Sequence, residues 1–281
     1  MLKRKLKVCW LLPSLFIVLL SHDLIQAQSL RLDISLSDTC YYVLQSIWLD
    51  AELTNIRADT VRTFGFEFPG GDLLNIVLTE DSGDTLRPGF PYAFLVGWQG
   101  VLLYPKETYY ETFDLAYIFT FHGPVPGNPA FQQPPSLAAG RYEVYAEYPA
   151  GESRLSTPKL TFEVAEPTGA EREAFGLYVE AYRSRKRKDD SHAEQLLNKL
   201  VTDYPKSVYA ERAYLRLFRD HELLEKCPDS GYLQRRLRGM INEMSKEEKH
   251  RFLEKAMKEH PGTRSARFAE QLLREVKRKD E

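Results

Sequence analysis

Around "EPTGAE", residues 166–171, the hydrophobic period of this chain changes from two to about 3.6. A period of two belongs to a strand with one covered face, and a period of 3.6 to a helix with one apolar stripe. The change therefore divides the chain into 28–166 and 167–281. On the strand side, Leu30, Leu32, Ile34 and Leu36 alternate with Arg31, Asp33 and Ser35. Ile47, Leu49, Ala51 and Leu53 likewise alternate with Trp48, Asp50, Glu52 and Thr54. That is the form of a half-buried strand with one polar face. "LLNIVLTE", "YETFDLAYIFTF", "GRYEVYAEY" and "KLTFEV" extend the series to seven or eight strands, with "DSGD" at 81–84 as a turn.

"VLQSIWLDAELTN" (43–55), "LLYPKETYYETFDL" (102–115) and "LAAGRYEVYAEY" (137–148) resemble bacterial extracytoplasmic immunoglobulin-like domains. The points of likeness are a strand ending in Thr-Asn and the turns that lead into the later strands. Lys106 stands where that family has a glycine, and Ala139 where it has a proline. The resemblance implies an envelope or surface setting and no catalytic residue. The fold class expected is an all-β immunoglobulin-like sandwich followed by an all-α helical-hairpin repeat domain, a short α-solenoid.

The helical half supports the second part of that expectation with an internal repeat. At an offset of 56 residues, Leu196 matches Phe252, Leu197 Leu253, Val201 Met257 and Pro205 Pro261. Ser207 matches Thr263, Ala210 Ala266 and Ala213 Ala269. Small residues let helices approach closely, and the prolines stop one helix so that another can start. Six helices are expected, arranged as three antiparallel hairpins. Capping boxes are expected at Thr168/Glu171, Ser191/Glu194 and Ser245/Glu248, and a cap at Ser207. Ala193, Leu197, Leu200 and Pro205, with the junction "YPKSVYAERA", resemble tetratricopeptide-type repeats of bacterial envelope proteins. These include lipoproteins of outer-membrane assembly and cell-division coordinators. The resemblance implies a protein or peptide partner.

The N-terminus is expected to set the location. Lys3, Arg4, Lys5 and Lys7 precede an apolar run, Val8–Leu20, and a polar tail reaches Ala27. This is the layout of a secretory signal peptide, with cleavage expected near Ala27. The run is shorter than the roughly 20 residues of a membrane span. The mature chain is thus expected to be exported, periplasmic or extracellular, and not membrane-spanning. Cys40 and Cys227 remain, and are expected as two separate thiols. Residues 28–166 carry 8 basic and 18 acidic side chains, and residues 167–281 carry 26 and 21. Halves of opposite sign point to two separate domain surfaces.

Catalytic grammar is missing from the sequence. There is no G-x-S-x-G, H-E-x-x-H, C-x-x-C or phosphate-cradling glycine loop, and no two histidines sit at metal-ligand spacing on one expected helix. No cofactor, no metal and no catalytic residue are expected. The basic end of the first helix, Arg183 to Lys188, is read as cations at a helix C-terminus diluted by Asp189 and Asp190. An exported chain is not expected to meet nucleic acid. The leading expectation is a non-enzymatic binding scaffold of the bacterial cell envelope, with a groove lined by residues the repeat does not fix: Lys206, Glu211 and Arg216. A second reading is a carbohydrate- or surface-polymer-binding module using Phe90, Tyr92, Trp98 and Tyr104. A third is a hydrolase with an unrecognised site. The oligomeric state stays open.

Overall fold

The computed structural model describes residues 29–66, 74–86, 100–120, 136–150 and 153–278. The signal-peptide region lies outside them. The strands are β1 (Leu30–Leu36), β2 (Cys40–Tyr42), β3 (Trp48–Asn55), β4 (Val61–Phe64), β5 (Asn75–Glu80), β6 (Thr85–Leu86), β7 (Gly100–Leu103) and β8 (Thr108–Asp114). A short helix α1 (Leu115–Thr120) follows, then β9 (Gly140–Ala150), β10 (Ser153–Ser156) and β11 (Leu160–Ala165). One sheet runs β1-β3-β8, a second β2-β11-β9-β5-β6 with β10 on β9, and β4 pairs with β7. Leu49, Ala51 and Leu53 of β3 share one core with Ile76 and Leu78 of β5, Val144 and Ala146 of β9, and Phe162 and Val164 of β11. That shared core packs the two larger sheets against each other.

The second half contains α2 (Gly169–Lys186), α3 (Asp190–Asp203), α4 (Ala210–Arg216), α5 (Asp220–Lys226), α6 (Leu233–Asn242), α7 (Lys246–Glu259) and α8 (Arg264–Arg278). Three of its helix junctions are built alike. Tyr204, Cys227 and His260 each precede a proline, which the helical conformation disfavours. Their backbones leave the helix at φ/ψ of −130/54°, −131/57° and −127/54°. Each still donates its N–H to the carbonyl four residues back: Leu200, Leu223 and Ala256. Three residues further on, Ser207, Ser230 and Thr263 close the turn with N–H donated to those same pre-proline carbonyls. The offset of 56 in the sequence therefore spans two corners, because Pro228 lies between Pro205 and Pro261. The helix missed by sequence reasoning, α5, is the one that ends at Pro228.

All three corners point the next helix at the β1-β3-β8 sheet. Tyr209 donates its hydroxyl to the Val43 carbonyl at 2.8 Å, and Tyr232 to Asp114 Oδ2 at 3.1 Å. Arg264 grips Asp50, and Arg212 meets Asp114 at 3.0 Å. Gln271 of α8 accepts from the Tyr110 N–H at 3.0 Å.

These contacts correct the fold class expected from the sequence. The chain is mixed α/β with mixed sheets, and an all-β sandwich followed by an all-α repeat array does not describe it. β2 runs parallel to β11, pairing Cys40 with Glu163 and Tyr42 with Ala165. Helix α1 lies among the strands. Leu44 and Tyr110 belong to the helical core. The polar face of β3 is accordingly covered rather than solvated: Trp48 and Asp50 are only 6% and 5% exposed. Alternation reported which residues share a face, but not what covers it.

Local details also differ from the expected caps. Ser245 and Glu248 form the full capping box. Thr168 makes no side-chain cap, and the Glu171 carboxylate accepts from Ser207 Oγ at 2.7 Å. Asp189, not Ser191, caps α3 by accepting from the His192 N–H at 3.1 Å. Cys40 and Cys227 are both free thiols.

Candidate functional site

Helix α2 carries Tyr178, Ala181, Tyr182, Arg185 and Lys186 at helical spacing. With Leu197 of α3 and Arg216 at the end of α4, these residues line a cavity of about 300 Å³. Among the residues lining it are three cations, two tyrosines and no carboxylate. Its inner wall is fixed by packing, since Tyr178, Ala181 and Leu197 belong to the helical core. The Tyr178 ring stacks on Tyr209 at 6.2 Å.

The basic run at the end of α2 is divided between two surfaces. Glu180 lies 2.6 Å from Arg187 and 3.9 Å from Arg183, which neutralises the side facing away from the cavity. Arg185 and Lys186 face the cavity instead. Asp189, next along the chain, caps α3 by accepting from the His192 N–H. Lys186 Nζ lies 5.5 Å from the centre of the Tyr182 ring. Arg185 Nη2 donates to the Arg216 carbonyl at 3.1 Å. Arg185 Nε is shielded from solvent and has no hydrogen-bond partner among the described residues. A donor left in that state costs about 1–3 kcal/mol.

The positive field extends beyond the cavity. Burial pushes the Tyr182 phenol above its usual range, and Arg216 pulls the other way. Burial does the same to Tyr117 on α1, opposed by Arg235 and Arg216. Arg216 thus lies near an aromatic group on α2 and another on α1.

The residues expected from the sequence to form a groove do not come together. Arg216 lines the cavity and is exposed. Lys206 is exposed on the first proline corner. Glu211 faces the sheet, where its Oε1 accepts from Trp48 Nε1 at 3.0 Å and Ser230 Oγ at 2.6 Å. Burial, together with the nearby Asp114 carboxylate, raises its pKa to about 7, against the lowering effect of its hydrogen bonds. Such a shift can mark an acid–base residue. Here the carboxylate sits between sheet and helices, away from the cavity, and serves to join them. Phe90, Tyr92 and Trp98 lie outside the described residues. Tyr104 lies beneath Arg278, whose guanidinium carbon is 4.8 Å from its ring centre.

Arg185 was legible as part of the basic end of the first helix but not as part of a site, because α3 and α4 complete the cavity. Among the described residues no group of three or more His, Cys, Asp or Glu is placed to hold a metal, and no helix is long and apolar enough to cross a membrane.

No protein-family profile matches the chain, and no curated protein matches it. Solved structures similar to part of it include a β-glucosidase from Listeria innocua in complex with glucose. That likeness is 14% identical over 50% of this chain and 17% of the other, with a TM-score of 0.27. A β-glucosidase from Erythrobacter marinus is 14% identical over 49% of this chain and 15% of the other, with a TM-score of 0.28. The chain spans about a sixth of the length of these structures, and likeness at this level carries no argument about fold or activity.

Proposed function

We propose that this chain is an exported, non-catalytic protein-binding scaffold of the bacterial cell envelope, and that it receives its partner at the cavity between α2, α3 and α4. The observation that carries the reading is the composition of that cavity. Arg185, Lys186 and Arg216 surround it with no carboxylate in its lining, while the buried arginines of the sheet–helix junction each have one. Cations in a wall that includes no carboxylate form a local positive field that favours an incoming anionic surface. Aromatic rings beside them supply contact area of the kind that dominates interface energetics. The leader-like N-terminus supports export, and the repeated corners support a rigid frame on which the cavity is mounted.

In-cell crosslinking tests it. A photo-reactive side chain placed at Tyr182 is expected to give a discrete adduct with another protein, and the same group at exposed Ile56 is expected to give none. Absence of an adduct at Tyr182, or equal labelling from both positions, would remove the reading.

A further inference from the structure

Resting on that reading, we infer that the cavity admits one bulky apolar side chain of an acidic peptide segment, whose flanking carboxylates are held by Arg185 and Arg216. Three observations converge on this ligand chemistry. First, the size of about 300 Å³ suits a single large side chain, and Ala181, Leu197 and the two tyrosine rings offer it apolar walls. A small free anion would leave those walls unused. Second, Arg185 Nε lacks an acceptor, while Nη2 of the same guanidinium is already fixed on the Arg216 carbonyl. Because Nε is shielded, an entering carboxylate reaches it only as the Arg185 side chain turns towards the cavity. Third, the cationic rim is mainly arginine, whose planar fork suits carboxylates. Arg216 and Arg235 both act on Tyr117, so cations also stand near α1.

The test uses the chain from Gln28 onward and fluorescence anisotropy of a short labelled peptide with glutamates on both sides of one phenylalanine. Binding is expected at low salt, weakening as sodium chloride shortens the screening length. Exchanging the glutamates for lysines, or the phenylalanine for alanine, is expected to cut affinity at least about tenfold. Arg216→Glu and Arg185→Gln are each expected to lose roughly ten- to a hundredfold, and Arg216→Glu, at an exposed position, to keep an unchanged thermal transition. Inorganic phosphate and polygalacturonate serve as competitors of other classes. No binding of the acidic peptide, equal binding by Arg216→Glu, or displacement by either competitor at matched charge overturns the inference. If the Tyr182 crosslinker captures a protein while the acidic peptide does not bind, the ligand class is wrong and the scaffold reading stands. If neither is seen, both fall.

Discussion

Arg264 holds Asp50 through paired hydrogen bonds, Nε to Oδ1 at 2.7 Å and Nη2 to Oδ2 at 2.8 Å, across 214 positions of sequence. Both residues are 5% exposed. Tyr110 and Thr112 donate their hydroxyls to the same Oδ1, at 2.7 and 2.8 Å. The pair therefore ties the first turn of α8 to the centre of the three-stranded sheet, with the carboxylate well supplied with donors. Removing one charge leaves the other buried and unmatched, which typically costs 3–5 kcal/mol. Arg264→Ala is expected to lose about that much in denaturant unfolding. Arg264→Lys is expected to recover only part, since an ammonium lacks the fork that reaches both oxygens. A loss below about 1 kcal/mol for Arg264→Ala would show that the pair does not hold the junction.

Gly231 lies against Trp48 with no room for a side chain. A Cβ there would stand 2.3 Å from Trp48 Cε3. The indole is also fixed by Glu211 at 3.0 Å and by an edge-on contact with Tyr232 at 4.7 Å. Gly231→Ala is expected to destabilise by about 1–3 kcal/mol through overpacking. It should also shift the Trp48 emission. In combination with Trp48→Leu, the penalty of Gly231→Ala should largely vanish, since the clashing atoms are gone. Simple additivity of the two changes would contradict this account.

These two contacts show where sequence reasoning stopped. Period two put Trp48 and Asp50 on one face of β3, and that grouping is what the structure uses. A tryptophan and an aspartate on the same face as a glutamate and a threonine read as a wet face, because nothing local announces the helices that cover it. The corner at Pro261 was visible from its repeat at Pro205. The corner at Pro228 was not, because α5 has only seven residues and too few turns to show a period. The cavity was harder still. It depends on Arg185, Leu197 and Arg216 from three helices, and their meeting is a tertiary fact. Glu211 was picked out as a residue the repeat leaves free, yet its role follows from Trp48, a partner 163 positions away.

Lys106 occupies a position the turn would give to glycine. Pro105 and Lys106 form the centre of a turn closed by the Glu107 N–H donating to the Tyr104 carbonyl at 2.9 Å, and Lys106 has φ of +64°. Proline followed by positive φ is the type II pattern, which favours glycine second. Its own N–H donates to the Asn55 carbonyl at 3.0 Å, so the loop is held in that strained form from outside. Lys106→Gly relieves a left-handed penalty of about 1–2 kcal/mol but adds freedom to the unfolded chain. A net gain of roughly 0.5–1 kcal/mol is expected, read as a higher denaturation midpoint at unchanged slope. Lys106→Ala should not show it. A loss of stability in Lys106→Gly would mean that the lysine makes a compensating contact.

Glu211 makes the stability of the sheet–helix junction depend on pH. Burial raises its folded pKa to about 7, while the unfolded chain ionises near the ordinary carboxylate value of 4.5. Between those values the folded protein keeps a proton that the unfolded chain has released. Stability from this group is therefore fully present below about pH 4.5, declines as pH rises, and is lost above about pH 7. The difference corresponds to roughly 3 kcal/mol at most, before solvent screening reduces it. Glu211→Gln keeps an oxygen to accept from Trp48 and Ser230 and removes the charge beside Asp114. It is expected to flatten the decline between pH 5 and 7 and to exceed the unsubstituted protein in stability at pH 8, by urea unfolding followed at each pH. Identical pH profiles for the two proteins would place the Glu211 carboxylate in contact with water rather than inside the junction.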